Sequence, residues 1–294
     1  MIKLFCDMGA DIPKKLIEKY DISLFTMMIS DGKNEYVLGK DIDKYKLFDQ
    51  MKKGINFHTS QVAYSDYYNA FKEAVSLGEE VIYISLSSGI SGTYNTAIMA
   101  KNAILEEFKD AKIYIFDSFG ATFGYGFVVL KVAKMLENNE SIEEIIKLID
   151  FHKKHGQFLF SAGDLTYLYR GGRLSKTKFF IGNLLNILPI MDVSKVDGTL
   201  EMIDKARGHK ALKKKILEHI KQKADNFKDQ TILFLQGDCL EKAVEFKEFL
   251  SKELQNDDII ISDIDAVIGC HTGPDIITVF YLDELYGKYD KIKL

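Results

Sequence analysis

The chain has 294 residues, is 47% hydrophobic and 28% charged, and carries a net charge of −4. That length exceeds one usual core and predicts two domains, while the mild acidity, with no long Lys/Arg block, excludes general nucleic-acid binding. No apolar run approaches the ~20 residues that cross a membrane, and three scattered cysteines without Cys-x-x-Cys argue against a zinc site or a disulfide framework.

Elements follow in chain order. The opening MIKLFCDMGAD meets an acid too soon for a signal peptide, and a reducing cytoplasm suits the cysteines. Ile2 to Phe5 is a short apolar strand, and Asp11 with Pro13 starts a helix over Lys14 to Lys19. Leu24 to Ile29 predicts one strand ending at the Asp31-Gly32 turn, and Asp41 opens an amphipathic helix carrying Leu47, Phe48 and Met51. A helix over Tyr64 to Leu77, a buried strand Val81 to Leu86, a helix Thr93 to Phe108, a strand Ile113 to Phe116 and a helix Gly120 to Leu136 follow. This alternation predicts an α/β domain with a parallel sheet and helices on both its faces. Ser141 with Glu144 forms a capping box for one more helix, to about Lys154, whose His152 and His155 read as surface residues.

After Gly156 the rhythm changes. Leu188 to Val193 and Leu200 to Asp204 flank Asp197-Gly198, a hairpin signal. A helix from Gly208, strand Thr231 to Leu235, helix Leu240 to Leu254 and strands Ile259 to Ile261 and Ile276 to Leu282 complete the chain. The pattern predicts residues 1–156 as the α/β domain and residues 157–294 as an α+β domain with antiparallel pairing. The basic stretch Lys210 to Lys215 alternates with apolar residues, as the wet face of a helix does.

The most informative segment is Ser87-Ser88-Gly89-Ile90-Ser91-Gly92-Thr93, a hydroxyl-rich turn between a buried strand and a helix. Glycines admit a ligand close to the backbone, helix-start N–H groups attract anions, and open α/β sheets bind ligands at strand carboxyl ends. Helix capping by Ser91 or Thr93 is the competing reading. No Gly-Lys-Ser/Thr closes the turn, so it is not a P-loop, and no Gly-x-Ser-x-Gly frames a nucleophile elbow. His58-Thr59-Ser60-Gln61 is a second hydroxyl cluster, read between two helices. His271-Thr272-Gly273-Pro274 places an imidazole on a turn beside a strand. Arg170-Gly171-Gly172-Arg173 and the basic turn Lys205 to His209 suit phosphate or carboxylate recognition, or simple solvation. Six scattered histidines give no metal spacing, so no metal is expected.

Together these segments resemble the DegV family of bacterial fatty-acid-binding proteins, nearly end to end. The resemblance rests on Cys6-Asp7 with Asp11-Ile12-Pro13, Thr59-Ser60-Gln61, Ser87 to Thr93, Asp117-Ser118, Tyr167 to Ser175, Lys205-Ala206-Arg207-Gly208 and His271-Thr272-Gly273-Pro274, in the family's order. It implies the EDD fold and a long-chain fatty acid (palmitate, stearate or oleate) in an apolar tunnel between the two domains. It implies no cofactor and no catalysis. Thr59, Ser91 and His271 would hold the carboxylate, with Ser60, Ser88, Gly92 and Thr93 as the supporting loop. A separate fatty acid kinase would make the acyl phosphate, with Arg170, Arg173 and Arg207 facing that partner or its phosphate. Val62, Cys270 and Asp275 depart from the family's usual residues without removing a head-group donor. Two other readings stay open on the residues alone: a serine esterase using Ser91 with His271 as base, and a sensor of another small carboxylate or phosphate ligand.

Overall fold

The computed structural model describes residues 1–175, 187–224 and 226–291. The first half runs β1 (Ile2–Asp7), α1 (Lys14–Lys19), β2 (Ser23–Phe25), β3 (Met28–Ser30), β4 (Glu35–Val37), α2 (Lys44–Lys52), β5 (His58–Thr59), α3 (Tyr64–Ser76), β6 (Glu80–Ser85), α4 (Thr93–Glu107), β7 (Ile113–Asp117), α5 (Thr122–Glu137) and α6 (Ile142–His155). It continues with β8 (Gly156–Ser161), α7 (Thr166–Arg170), β9 (Ile187–Val193), β10 (Leu200–Arg207), α8 (Gly208–Lys223), β11 (Ile232–Gln236), α9 (Leu240–Leu254), β12 (Ile259–Asp263), α10 (Ala266–Thr272) and β13 (Ile277–Leu282).

Strand and helix alternation in the first half closes a four-stranded sheet, β2-β1-β6-β7, with every pair parallel. The second half forms a six-stranded mixed sheet, β10-β9-β8-β13-β11-β12, whose β11–β12 pair is parallel and whose other pairs are antiparallel. The protein is thus α/β, with a parallel-sheet domain and a second mixed-sheet domain, and β8 begins the second sheet at Gly156. The sequence TFGYGFVVLKVAKM is apolar around the whole helix, which marks a helix buried on all sides. Accordingly α5 is buried from Thr122 to Ala133, packing on β1 of one sheet and β11 of the other.

Period-two alternation gives the second sheet two different faces. Ile277, Val279 and Tyr281 of β13 join Leu212, Ile216 and Phe246 of α8 and α9 in an outer core. Ile276, Phe280 and Leu282 belong to the larger core shared with the first domain. Asp7, at the end of β1, ties the first domain together from inside. It accepts Tyr83 and Tyr125 hydroxyls at 2.8 and 2.7 Å and the Leu86 and Gly9 amides at 3.0 Å each. Burial raises its pKa despite these donors.

Several expectations are corrected. The strand expected over Leu24 to Ile29 divides at Thr26-Met27: β2 pairs with β1, and β3 joins a small antiparallel sheet, β4-β3-β5. An alternating apolar pattern reads alike whether the strand runs on or bends into another sheet. The α2 helix is capped by Asp43, which accepts the Lys46 amide, whereas Asp41 accepts the Val37 amide. His152 and His155 are 3% and 8% exposed, not surface residues. His152 continues the Ile145, Leu148, Ile149 stripe at helical spacing, a signal present in the sequence. It lies 2.9 Å from Lys131, which itself is fully buried and pairs with Asp290 at 2.9 Å. Burial pushes the Lys131 ammonium down to about 8, opposed by Asp290.

Candidate functional site

Four chain segments that are distant in sequence meet at one cavity of about 240 Å³ between the two sheets. The first is β5 with the residues after it, bringing Thr59, Ser60 and Gln61. The second is the turn between β6 and α4, bringing Ile90, Ser91 and Gly92. The third is the last turn of α10, bringing His271 and Thr272. The fourth is Arg173, just past α7. The sequence reading put His271 on a turn beside a strand, but Asp265 caps a short helix at its N-terminus and Gly273, at φ 80°, ends it. An Asp before an apolar run and a Gly after it are the ordinary helix boundary signals.

The polar groups are linked in pairs. Thr59 Oγ1 lies 2.8 Å from His271 Nε2. Burial, with the positive charge of Arg173 nearby, pushes the His271 imidazolium down to about 3, so the ring is neutral at pH 7. Nδ1 of His271 is buried without a hydrogen-bond partner among the described residues. The proton therefore belongs on Nε2, donating to Thr59, because an N–H at Nδ1 would be an unpaired buried donor. Ser91 Oγ lies 2.6 Å from Thr93 Oγ1 and accepts the Thr93 amide at 3.3 Å. Arg173 is held by Nε to the Ile90 carbonyl at 2.9 Å and by Nη1 to the Gly171 carbonyl at 2.6 Å. Its guanidinium is thereby fixed beside the hydroxyl turn.

The turn itself is clamped by the second domain. Ser87 is fully buried and donates to the Gly198 carbonyl at 2.8 Å, in the β9–β10 hairpin. At Gly89, a Cβ would sit 2.3 Å from the Gly198 carbonyl carbon, so only glycine lets the two backbones approach this closely. The Ser88 amide is bound by Asp117 Oδ1 at 3.1 Å, at the end of β7. The N-cap of α4 is Gly92, with no side-chain cap.

Of the expected site residues, Thr59, Ser60, Ser91, Gly92, Arg173 and His271 line the cavity. Ser88, Thr93, Arg170 and Arg207 do not. Thr93 is fully buried beneath Ser91, and Arg170 and Arg207 are exposed. Arg173, expected with Arg170 and Arg207 to face a partner or its phosphate, reaches the cavity where the chain turns past α7 at Gly171-Gly172. Away from the polar end the wall is mostly apolar, with Met27, Leu86, Phe158, Phe160, Val193 and Leu200 among it. No motif marked these residues; they come from five elements or loops and share only a direction in space. Ser91 and His271 share no hydrogen bond among the described residues. The described residues hold no metal-binding group of three ligands, and none of their helices is long and apolar enough to cross a membrane.

The family model described as "Uncharacterised protein, DegV family" matches residues 1–284. A DegV domain-containing protein of Clostridium perfringens is 33% identical over 283 residues, covering 96% of this chain and 97% of its own. A stearic-acid-binding protein from Eubacterium ventriosum superposes with a TM-score of 0.84 at 28% identity, over 95% of this chain and 97% of that one. DegV of Bacillus subtilis, described as a fatty acid binding protein, gives 0.82 at 29% identity, over 95% and 98%. The chain belongs to the DegV family.

Proposed function

We propose that this protein is a non-catalytic carrier of a long-chain fatty acid such as palmitate, stearate or oleate. The observation that carries the reading is the division of the cavity into a polar end and an apolar wall, which suits a molecule that is itself so divided. Solved relatives described as binding fatty acids support the same choice. With Nε2 of His271 donating to Thr59, the Thr59 hydroxyl keeps its own hydrogen for a carboxylate. With Thr93 donating to Ser91, the Ser91 hydroxyl does the same. Arg173 supplies the positive charge that a buried carboxylate needs, since the other donors are neutral. Burying fourteen methylenes gives roughly 11 kcal/mol gross, at about 0.8 each, so the tail supplies most of the affinity. The head-group donors set orientation.

Native mass spectrometry of protein purified from a bacterial host tests this. A bound acid is expected, and a delipidated sample should take up added palmitate or oleate. Protein that is free of ligand and refuses both acids overturns the reading.

We propose further that a separate fatty acid kinase acts on the presented carboxylate in the cytoplasm. The exposed Arg170 and Arg207 are candidates for its docking or for holding phosphate. Acyl phosphate formation with such a kinase should fall when both are changed to alanine while acid binding is retained.

A further inference from the structure

Resting on the fatty-acid reading above, we infer that the acid carried by this chain bears a hydroxyl on its acyl chain, met by Thr278. The starting point is a hydroxyl with nothing to bind in a mostly apolar wall. Thr278 lies in β13, is 4% exposed and lines the cavity. Its neighbours Ile277 and Val279 enter the outer core, so strand alternation turns Thr278 toward the cavity. Its Oγ1 is buried and has no hydrogen-bond partner among the described residues. An unpaired buried hydroxyl is costly, and valine would fill the same shape without that cost. A plain methylene chain offers this hydroxyl no partner; an alcohol on the chain does.

A second hydroxyl lines the same cavity. Thr122, the first residue of α5, is 4% exposed and lines the wall. Its backbone sits at φ 58°, a left-handed conformation that a β-branched residue adopts only under constraint. Its Oγ1 accepts the Gly124 amide at 3.4 Å, and its O–H hydrogen has no acceptor among the described residues. Phe158 and Phe160 lie on one face of β8, and both line the cavity. Thr278 is the cross-strand partner of Phe160. Gly120 and Gly124, on either side of Thr122, press on Phe158, where a Cβ at Gly124 would come within 2.6 Å of the ring. A secondary alcohol has one donor and two acceptor sites, so it can pair with the Thr278 hydroxyl as donor or as acceptor. The proposed carboxylate end is built separately, from Thr59, Ser91 and Arg173, with His271 holding Thr59.

The test is a displacement titration on the delipidated full chain. It compares stearic acid with a series of monohydroxystearic acids in which the hydroxyl is stepped along the chain. At least one isomer should bind about fivefold more tightly than stearic acid, the worth of one net hydrogen bond. Thr278→Val should abolish that preference, so that every isomer binds the variant no more tightly than stearic acid does. Stearic acid binding as well as every isomer overturns the inference and leaves the fatty-acid reading standing. A preference that survives Thr278→Val intact overturns the assignment to Thr278. Failure of every acid to bind removes both readings.

Discussion

Ser91→Ala separates the two roles that the hydroxyl turn could play. Ser91 Oγ holds the Thr93 hydroxyl at 2.6 Å and the Thr93 amide at 3.3 Å, and it faces the cavity. In the ligand-bound state its loss removes one hydrogen bond to a charged acceptor, about 1.5–3 kcal/mol, or roughly 10- to 150-fold in Kd. Removing two methylenes from the acid costs about 1.6 kcal/mol, roughly 15-fold, so the variant should bind palmitate about as poorly as the native chain binds myristate or worse. In the ligand-free state the substitution strands the fully buried Thr93 hydroxyl, which costs about 1–3 kcal/mol. Thr93→Val on the same background removes that stranded hydroxyl and should recover part of the lost stability, the Thr93 amide staying uncapped, without recovering affinity. The assays are a displacement titration on delipidated protein and thermal denaturation of the ligand-free form, where each kcal/mol moves Tm by about 2–4 °C. An unchanged Kd beside a lowered Tm would refute the reasoning, because the hydroxyl would then serve only the turn.

Lys131→Met should destabilise the protein by about 3–5 kcal/mol in chemical denaturation, because it leaves Asp290 buried without its cation. Adding Asp290→Asn, which keeps a side-chain oxygen for the Gly287 amide, should restore most of that loss. For pH, His271 is held neutral down to about 3, whereas an unfolded histidine gains its proton near 6.5. The unfolded state therefore binds more protons across that window, and ligand-free stability falls as pH drops through it, by up to about 1.4 kcal/mol per unit. His152 acts in the same direction, and the raised carboxyls of Asp7 and Asp11 in the opposite one. The measurement is thus the difference between native chain and His271→Gln in Tm against pH; identical profiles would contradict a buried neutral imidazole. Gly89→Ala drives a methyl into the Gly198 carbonyl and should cost about 1–3 kcal/mol. Acid binding should weaken with it, since the displaced hairpin carries Leu200 of the cavity wall; full affinity in that variant would show that the clamp does not shape the site.

Local order was legible from the residues. The alternation of buried strands and helices predicts the parallel sheet, Asp197-Gly198 marks the hairpin, and Ser141 with Glu144 marks a helix start that the structure keeps, with Ser141 accepting the Glu144 amide. Short-range periodicity carries such information because a helix face or a strand face repeats within a few residues. The same periodicity was silent where the chain changes sheets at Thr26-Met27. His152 and His155 are polar residues at positions on the apolar stripe of α6, so polarity and periodicity point in opposite directions there, and burial follows the periodicity.

The amino-acid sequence by itself determined that the turn from Ser87 to Thr93 follows a buried strand and precedes a helix, and motif order along the whole chain determined its family. Only the tertiary structure decided which of its hydroxyls is used for what. Ser87 is spent on the hairpin of the second domain, Thr93 lies beneath Ser91, and Ser91 is left at the cavity beside Arg173. It also decided that Thr59 and His271, 212 residues apart, form one hydrogen-bonded pair. The physical reason is that composition and spacing constrain a residue's neighbours in the chain, whereas the direction of a side chain, and the partner it meets, depend on how two sheets and the helix between them pack.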